Sequence, residues 1–430
     1  MRSVQRKEYL RRLSAGRDDN STVKVITGMR RSGKSVLLEQ YAHLLKESGA
    51  DPKDIISVDF EKRENQWITD KDALNRWISE NIPDDRQCYV LLDEIQNVKD
   101  WELSVSALQA MGNCDIYITG SNSKMLSSEL ATHISGRYIE IGILPLSFKE
   151  YLELHPSDNV ESRFSDYIRL GSLPVIDPDG DEQYNEGILE GVFNTVLVKD
   201  ILSRLKTDDV TRITDIARFL YSNIGNLTNP AKIADETGIS NPTVRKYIDE
   251  MGKAFLFYYA ERYDIVGKRL LKNTGKYYAS DLGMRNVLLG SPLIKDLGRL
   301  LENVVFLELV RRGYKVSIGS FNDSEVDFAA TRNGRMEYFQ VAKTMMAEET
   351  YEREMKPLNS VRDNYPKTVL TMDRIGLGSD KGIEVRNLVD WLLEERVAVL
   401  IARSNSVKST SSPSTSNSPI LAPQSSHPWA

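Results

Sequence analysis

Metal-binding and cross-linking residues are scarce in this chain of 430 amino acids, which contains 2 cysteines and 4 histidines. Cys88 and Cys114 form no C-x-x-C pair, and the histidines are scattered along the sequence. These absences argue against a zinc framework and against a disulfide scaffold. The low cysteine content is typical of proteins of the reducing cytoplasm.

Long apolar runs are absent as well. No stretch approaches the ~18–20 consecutive apolar residues that a membrane-spanning helix needs. The first residues, MRSVQRKEYLRRL, are charged and lack the apolar segment of a secretory signal peptide. We therefore expect a cytoplasmic protein with no membrane partner.

Basic residues are not in excess, because the formal net charge is −6. A protein that coats nucleic acid is usually basic overall, so any contact with DNA must come from a local patch. Hydrophobic residues make up 40% and charged residues 27% of the chain, an ordinary globular composition. The length suits two or three domains of ~100–200 residues.

Apolar runs alternate with amphipathic segments over the first 150 residues. Runs at 23–27, 55–60, 89–92 and 115–119 predict strands, and apolar residues at helical spacing predict a helix over 35–47. Strands separated by helices typically form a parallel sheet that is covered on both faces. This part of the chain therefore predicts an α/β fold.

A phosphate-binding loop follows the first predicted strand. Residues 28–35 read GMRRSGKS and match G-x-x-x-x-G-K-[ST] between a strand and a helix. Main-chain N–H groups of such a loop surround phosphate oxygens, and the next helix adds the positive end of its dipole. We expect Lys34 to reach the β- and γ-phosphates and Ser35 to ligate Mg²⁺. The predicted nucleotide-binding residues are Gly28, Met29, Arg30, Arg31, Ser32, Gly33, Lys34, Ser35 and Val36.

Two adjacent acids, Asp93 and Glu94, end the third predicted strand. We expect Asp93 to hold Mg²⁺, directly or through water, and Glu94 to orient and deprotonate the attacking water. Such a pair is typical of a nucleotide hydrolase rather than of a passive nucleotide binder.

Three further polar side chains are candidates for catalysis. Ser121 and Asn122 follow the fourth predicted strand, where a polar group can contact the γ-phosphate, but both residues are equally typical of a helix N-cap. Arg137 follows the next predicted helix. An arginine there can stabilise the transferring phosphoryl group, in the same chain or in a neighbouring subunit, or lie on the surface without such a role.

Together these motifs resemble those of prokaryotic AAA-superfamily ATPases, and of a group whose C-terminal half is a region of unknown function with a nuclease-like end. The resemblance rests on GMRRSGKS, LLDEIQ, ITGSNSKML, SGRYIEIGILPLSFKEYL, GSLP, YYASDLG and LENVVFLELVRRGYKV. It implies that the nucleotide is ATP rather than GTP. It also implies nucleotide ligands (Lys34, Ser35), a Walker B pair (Asp93, Glu94) and an arginine sensor (Arg137).

The predicted fold class is α/β and multidomain, with a P-loop, AAA-like parallel sheet, a winged helix and an α/β end that resembles the PD-(D/E)XK nuclease fold. Helical patterns fill residues 148–154, 164–170 and 187–205. The predicted domains are an ATPase domain (1–150), a helical lid or connector (151–206), a winged helix (207–285), a nuclease-like domain (286–403) and a Ser- and Pro-rich disordered tail (404–430).

Residues 229–251 have the spacing of a helix-turn-helix, and a predicted hairpin follows over 255–281. The outer face of the second helix is where a recognition helix contacts a DNA groove. The candidate DNA contacts are Arg245, Lys246, Lys268, Arg269 and Lys272, with Lys276 also near the hairpin tip. The alternative is a winged helix that only packs or docks a protein partner.

The last region has nuclease-like residues around an incomplete centre. Asp327 and Glu302 fit two acidic positions of the nuclease motif, but Gln340 replaces the third acid. Lys343 stands one residue late and should point away from Asp327, so no ammonium replaces the missing lysine. We interpret this region as a non-catalytic relic or recognition module, unless a strand bulge re-aims Lys343. A final helix is predicted at 385–395.

Two interpretations of function stay open. The first is an ATP-driven switch or machine whose second half docks on duplex DNA. The second is a signalling ATPase whose second half binds a protein partner. A third, an ATP-dependent nuclease, is disfavoured by the incomplete centre. The sequence leaves the oligomeric state open, from monomer to ring.

Overall fold

The predicted strands of the first 150 residues form one parallel sheet in the computed structural model of the chain. The structure describes residues 3–121, 136–205, 207, 209–290, 297–321 and 324–395. The strands of this sheet are β1 (Val23–Thr27), β2 (Ile55–Asp59), β3 (Cys88–Asp93), β4 (Cys114–Gly120) and β5 (Tyr138–Gly142). Their spatial order is β2-β3-β4-β1-β5, and the sequence had not indicated β5.

The central strands β1, β3 and β4 are buried along their whole length, as expected for a parallel sheet between helices. The helices of this part are α1 (Lys7–Ala15), α2 (Lys34–Glu47), α3 (Lys71–Asn81) and α4 (Trp101–Met111), with short 3-10 turns at Pro52–Asp54, Arg63–Asn65 and Ile95–Asn97. Because the strands are parallel, the carboxyl ends of β1, β3 and β4 lie side by side at one edge of the sheet.

Helices dominate residues 148–222, as the sequence predicts. They are α5 (Phe148–Leu154), α6 (Val160–Leu170), α7 (Glu182–Thr195), α8 (Ser203–Leu205) and α9 (Val210–Ser222). The predicted helix over 187–205 is not uniform, because a π-helical segment, Val196–Leu202, joins α7 to α8. π-helical turns are rare in proteins overall, and those that occur are often found at functional sites.

A helix-turn-helix and a hairpin follow. Their elements are β6 (Leu227–Thr228), α10 (Pro230–Thr237), α11 (Asn241–Lys253), β7 (Phe257–Asp264) and β8 (Arg269–Ala279). Gly238 ends α10 with a left-handed backbone (φ 69°), which glycine adopts without strain. Helix α11 buries Val244, Tyr247, Ile248 and Met251, the apolar stripe that its sequence predicts.

The hairpin continues into a second, mixed sheet of nine strands. The remaining elements are α12 (Leu282–Leu289), α13 (Leu297–Arg311), β9 (Lys315–Phe321), β10 (Ser324–Arg332), β11 (Arg335–Ala342), α14 (Glu348–Ser360), β12 (Lys367–Thr371), β13 (Gly378–Asp380), β14 (Ile383–Asn387) and α15 (Leu388–Leu393). The order is β13-β14-β12-β11-β10-β9-β7-β8-β6. Residues 262–264 of β7 pair in parallel with residues 318–320 of β9, so the hairpin and the last region share one sheet.

The helix predicted at 385–395 is wrong for its first three residues. They belong to β14, which pairs in parallel with β12 and alternates buried and less buried side chains. The pairing with β12 outweighs the local helical pattern, a tertiary effect on short segments. Asn387 then caps α15 by accepting a hydrogen bond from the Asp390 N–H.

One apolar cluster connects the first sheet to the rest of the chain. It includes Met29 of the phosphate-binding loop, Phe148 of α5, Phe306 of α13 and Trp391 of α15. Residues 1–394 accordingly form a single unit. Among the described residues, no helix combines the length and the apolar character needed to cross a bilayer.

Candidate nucleotide site

Two glycines shape the loop between β1 and α2. Gly28 has φ 152°, and a Cβ added there would lie 2.4 Å from the carbonyl oxygen of Ile143. Gly33 has φ 96°, in the left-handed region, and α2 begins directly after it. No other residue type adopts these conformations so easily, which explains why the motif has glycine at both positions.

Lys34 lies at the centre of the site and is buried. Its Nζ lies 3.2 Å from the Gly28 carbonyl oxygen, 3.3 Å from that of Met29 and 3.5 Å from Glu94 Oε1. Burial lowers the pKa of Lys34, and the Glu94 carboxylate acts in the opposite direction. The lysine and the acid of the predicted pair are therefore neighbours in space.

Asp93, at the end of β3, faces α2 and the end of β4. Its Oδ1 accepts a hydrogen bond from the Thr119 hydroxyl. Burial raises the pKa of Asp93, and hydrogen bonds from Thr119 and Ser35 act against that rise. The two residues predicted to ligate Mg²⁺, Ser35 and Asp93, are thus near each other.

Glu94 has a left-handed backbone, with φ 54°. A non-glycine residue in this region is uncommon and is a recurrent feature of functional sites. The Glu94 N–H donates to Thr119 Oγ1 over 2.9 Å, and its carboxylate accepts from the Gln96 side chain. Thr119 therefore orients both acids. The sequence motifs point to the polar residues after β4 and do not identify this threonine, the last residue but one of the strand.

The donor set fits a nucleotide with Mg²⁺. The Ser32 hydroxyl is buried in the loop and has no hydrogen-bond partner in the structure, as expected for a group that awaits an anion. Ser35 and Asp93 offer hydroxyl and carboxylate oxygens, the ligands that Mg²⁺ prefers. No cluster of three His, Cys, Asp or Glu side chains suited to a metal ion occurs in the described part of the chain.

The remaining loop residues differ in exposure. Arg31 and Val36 are exposed. Arg30 points toward the second half of the chain, where its Nε lies 3.2 Å from Asp200 Oδ2 in the π-helical segment. Glu61 lies 3.3 Å from the same guanidinium.

Ser121 joins the site, whereas Arg137 does not. Ser121 is buried, and its hydroxyl lies 3.4 Å from Asp200 Oδ1. Asn122 lies outside the described residues. The Arg137 carbonyl accepts from the Val23 N–H at the first residue of β1, so Arg137 lies at the sheet edge opposite the loop. Five residues of strand separate the two edges, roughly 16 Å. A same-chain role of Arg137 at this site is therefore excluded, and a role in a neighbouring subunit stays a prediction.

The basic residues of α11 and the hairpin fall into two groups. Arg245, Lys246, Lys268 and Arg269 are exposed. The side chain of Lys272 lies outside the described part of the structure. Lys276 is buried, and its assignment to the basic hairpin tip is wrong.

Lys276 points into the group of acidic side chains for which the sequence predicts a nuclease-like centre. Its Nζ lies 2.9 Å from Glu302 Oε1 and 2.7 Å from Glu325 Oε1. Burial opposes the charge, but Glu302, Asp327 and Glu325 raise the pKa of Lys276. The expectation that no ammonium replaces the missing lysine is therefore wrong. The ammonium comes from β8, a strand that the linear motif does not include.

Asp327 and Gln340 face each other across β10 and β11, as the motif predicts. Asp327 Oδ2 accepts from the Val341 N–H over 2.8 Å, and the Gln340 amide donates to Glu354 over 3.0 Å. Lys343 lies just after β11 and is exposed. The register between β9 and β10 shifts at residues 326–329, but this irregularity does not bring Lys343 to the centre.

Comparison with known proteins agrees with the geometry of the first sheet. Residues 20–152 match a family described as an AAA domain, and residues 161–293 match a domain of unknown function, DUF8612. The sheet, the loop and the acid pair thus belong to an AAA-type P-loop ATPase domain.

Two relatives cover nearly the whole chain. An uncharacterized protein of Haemophilus influenzae is 40% identical over 91% of this chain and 99% of its own length. An uncharacterized protein of Methanocaldococcus jannaschii is 31% identical over 84% of this chain and 83% of its own length. The chain belongs to one family with these proteins.

Among solved structures, Orc1 of Aeropyrum pernix in complex with DNA shares 12% identity over 68% of this chain and 94% of that chain. A DNA polymerase III gamma-subunit-related protein of Thermotoga maritima shares 11% identity over 57% and 99%. The TM-score is 0.27 in both comparisons, which is too low to support an inference about function.

Proposed function

We propose that this chain binds ATP with Mg²⁺ at the loop between β1 and α2, hydrolyses it, and passes the nucleotide state to its second half. The single observation that carries the proposal is the position of Lys34, whose Nζ lies 3.5 Å from Glu94 beside Asp93 and Ser35. Binding and catalytic groups from two segments of the chain therefore converge on one point.

Each residue has a distinct task in this proposal. Lys34 and the loop N–H groups bind the phosphates. The carbonyl oxygens of Gly28 and Met29 hold the Lys34 ammonium in the loop, where it can contact the phosphates. Ser35 and Asp93 would hold Mg²⁺, which supplies positive charge against the developing charge of the phosphates. Glu94 accepts a proton from the attacking water, and the Thr119 hydroxyl holds the Glu94 main chain in place by accepting a hydrogen bond from its N–H.

Two substitutions separate binding from chemistry. Lys34→Ala should lose most ATP affinity, because no other ammonium lies in the loop. Glu94→Gln keeps the shape of the side chain but cannot accept a proton, so it should bind ATP and lose roughly 100-fold or more in turnover. ATP affinity by calorimetry and phosphate release by a coupled assay measure the two effects.

Glu39→Gln, an identical exchange on the exposed side of α2, is the matched control and should keep the parental rate. Parental hydrolysis by Glu94→Gln would show that another group activates the water. Absence of any Mg–ATP binding to the parent chain would reject the proposal as a whole.

The second half has an exposed basic surface that suits duplex DNA, and we include such a contact in the proposal. Arg245 and Lys246 project from α11, and Lys268 and Arg269 lie at the β7–β8 turn. Phosphate contacts of this kind fix a helix on DNA without reading its sequence. A protein partner is the alternative occupant. Nuclease activity is not proposed, because Gln340 stands at the third acidic position and Lys276 already pairs with Glu302, one of the two motif acids.

A further inference from the structure

The π-helical segment Val196–Leu202 brings a carboxylate to the nucleotide site. Asp200 is 4% exposed, and its oxygens lie 3.2 and 3.5 Å from the Arg30 guanidinium and 3.4 Å from the Ser121 hydroxyl. Arg30 belongs to the phosphate-binding loop, and Ser121 follows β4. Asp200 therefore connects three separate parts of the chain at the point where the phosphates are expected.

The charge of Asp200 is opposite to the charge that a phosphate site requires. Burial opposes the ionisation of Arg30, but the hydrogen bond and the charge of Asp200 raise its pKa. The charges of both Arg30 and Asp200 also act on Lys34. A carboxylate beside the loop repels a triphosphate and occupies the Arg30 guanidinium that would otherwise be free to bind it.

The same segment leads to α11. Arg204 follows Asp200 by four residues, and its Nη1 is buried without a hydrogen-bond partner. The charges of Asp200 and of Glu250, on α11, both act on Arg204. Glu250 binds Lys253 through Oε1, and its Oε2 is likewise buried without a partner. The charges of two carboxylates therefore act on Arg204, and both Arg204 Nη1 and Glu250 Oε2 have unused hydrogen-bonding capacity.

We propose that Asp200 is a positioning residue of the nucleotide site, which holds Arg30 while no nucleotide is bound and transmits the arrival of ATP through Arg204 to α11. The inference rests on the proposed function. ATP competes with Asp200 for Arg30, because a triphosphate carries more negative charge than one carboxylate. Asp200, once released from Arg30, accepts a hydrogen bond from Arg204 Nη1. The electrostatic interaction between Arg204 and Glu250 of α11 then becomes weaker.

Asp200→Asn tests the first half of this inference, because it keeps the shape of the side chain and removes the charge. Measured by calorimetry in a Glu94→Gln background, this variant should bind ATP about tenfold more tightly, a typical coupling between two sites. A residue with only a structural role would leave the affinity unchanged or weaken it. Asp200→Glu keeps the charge and should bind ATP as the background variant does. Asp215→Asn, on the exposed face of α9, is the matched control.

Hydrogen exchange of residues 241–253 tests the second half. ATP should change the exchange of α11 in the Glu94→Gln background, and the change should disappear in Asp200→Asn and in Arg204→Gln. Unchanged or weaker ATP binding by folded Asp200→Asn, or an α11 response that persists in both variants, would overturn the inference. If the Glu94→Gln protein itself bound no ATP, the proposed function would fail first, which is a distinguishable result.

Discussion

At the scale of single residues, burial decides which polar groups keep their charge. Lys276 is the clearest case, since the pattern of the hairpin places it with exposed basic residues and the fold buries it among three acids. Its contacts with Glu302 and Glu325 leave Asp327 as the least compensated member of the cluster. Burial, followed by the charge of Glu302, raises the pKa of Asp327 well above its usual range.

We predict that Asp327→Asn stabilises the protein at neutral pH. The folded-state pKa lies above the unfolded value of about 3.9, so the folded state favours the protonated carboxyl. The parent therefore loses stability relative to the Asn variant as the pH rises from the unfolded pKa of Asp327 to its folded pKa. The melting temperature of the variant should exceed that of the parent by about 2 °C at pH 8 and approach it near pH 4.

Asp235→Asn, an exchange at an exposed position of α10, is the control and should leave the melting temperature unchanged at either pH. A lower melting temperature of Asp327→Asn at pH 8 would mean that the carboxylate is a net stabiliser through Lys276, contrary to this account.

At the scale of elements, the hairpin is not a free arm. Residues 262–264 of β7 pair with β9, so only the turn between β7 and β8 projects from the sheet. The exposed cations of α11 and of this turn are then the groups that can reach phosphates together. A rigid hairpin fixes their spacing, which a mobile arm would not.

We predict salt-dependent binding of duplex DNA by this surface. Exchanging Arg245 and Lys246 for Gln should weaken binding at low salt. Each lost phosphate contact reduces the magnitude of the slope of log affinity against log salt by ~0.9. The double variant should therefore reduce this magnitude by up to about 2. Fluorescence anisotropy of a labelled duplex at several salt concentrations measures both quantities.

The double exchange Lys53→Gln with Lys62→Gln removes the same charge from an exposed part of the first domain and should leave the slope unchanged. Equal losses in both double variants would indicate a response to net charge alone. Absence of duplex binding at low salt would leave the protein partner as the occupant of this surface.

At the scale of the whole molecule, the first sheet has two apolar clusters of its own, but the segment after β5 and Met29 pack in a third cluster with the rest of the chain. Met29, Leu146, Phe148 and Tyr151 belong to an apolar cluster that extends to the last helix. Met29 of the proposed phosphate-binding loop therefore packs in the same cluster as the region that we propose responds to the nucleotide.

We predict that a fragment ending at residue 152 is unstable by itself. It would expose Leu146, Phe148 and Tyr151, at a cost of roughly 1.5–3 kcal/mol for each fully buried aliphatic or aromatic side chain. Size-exclusion chromatography and circular dichroism should show aggregation or an early melt. A chain ending at residue 394 keeps the cluster and should behave as the full-length protein does. A 152-residue fragment that melts cooperatively as a monomer would contradict the prediction.

The sequence alone determined the parts of this protein whose physics is local. The GMRRSGKS loop, the acid pair after an apolar strand and the stripe of α11 could each be predicted, because glycine conformations, strand burial and helical periodicity operate over a few neighbouring residues. Tertiary structure alone decided that Lys276 enters the acidic centre, that Arg137 lies at the far edge of the sheet and that Asp200 reaches Arg30. These contacts join residues up to 170 positions apart in sequence, and the favourable energy of such pairs depends on burial and orientation that no local pattern encodes.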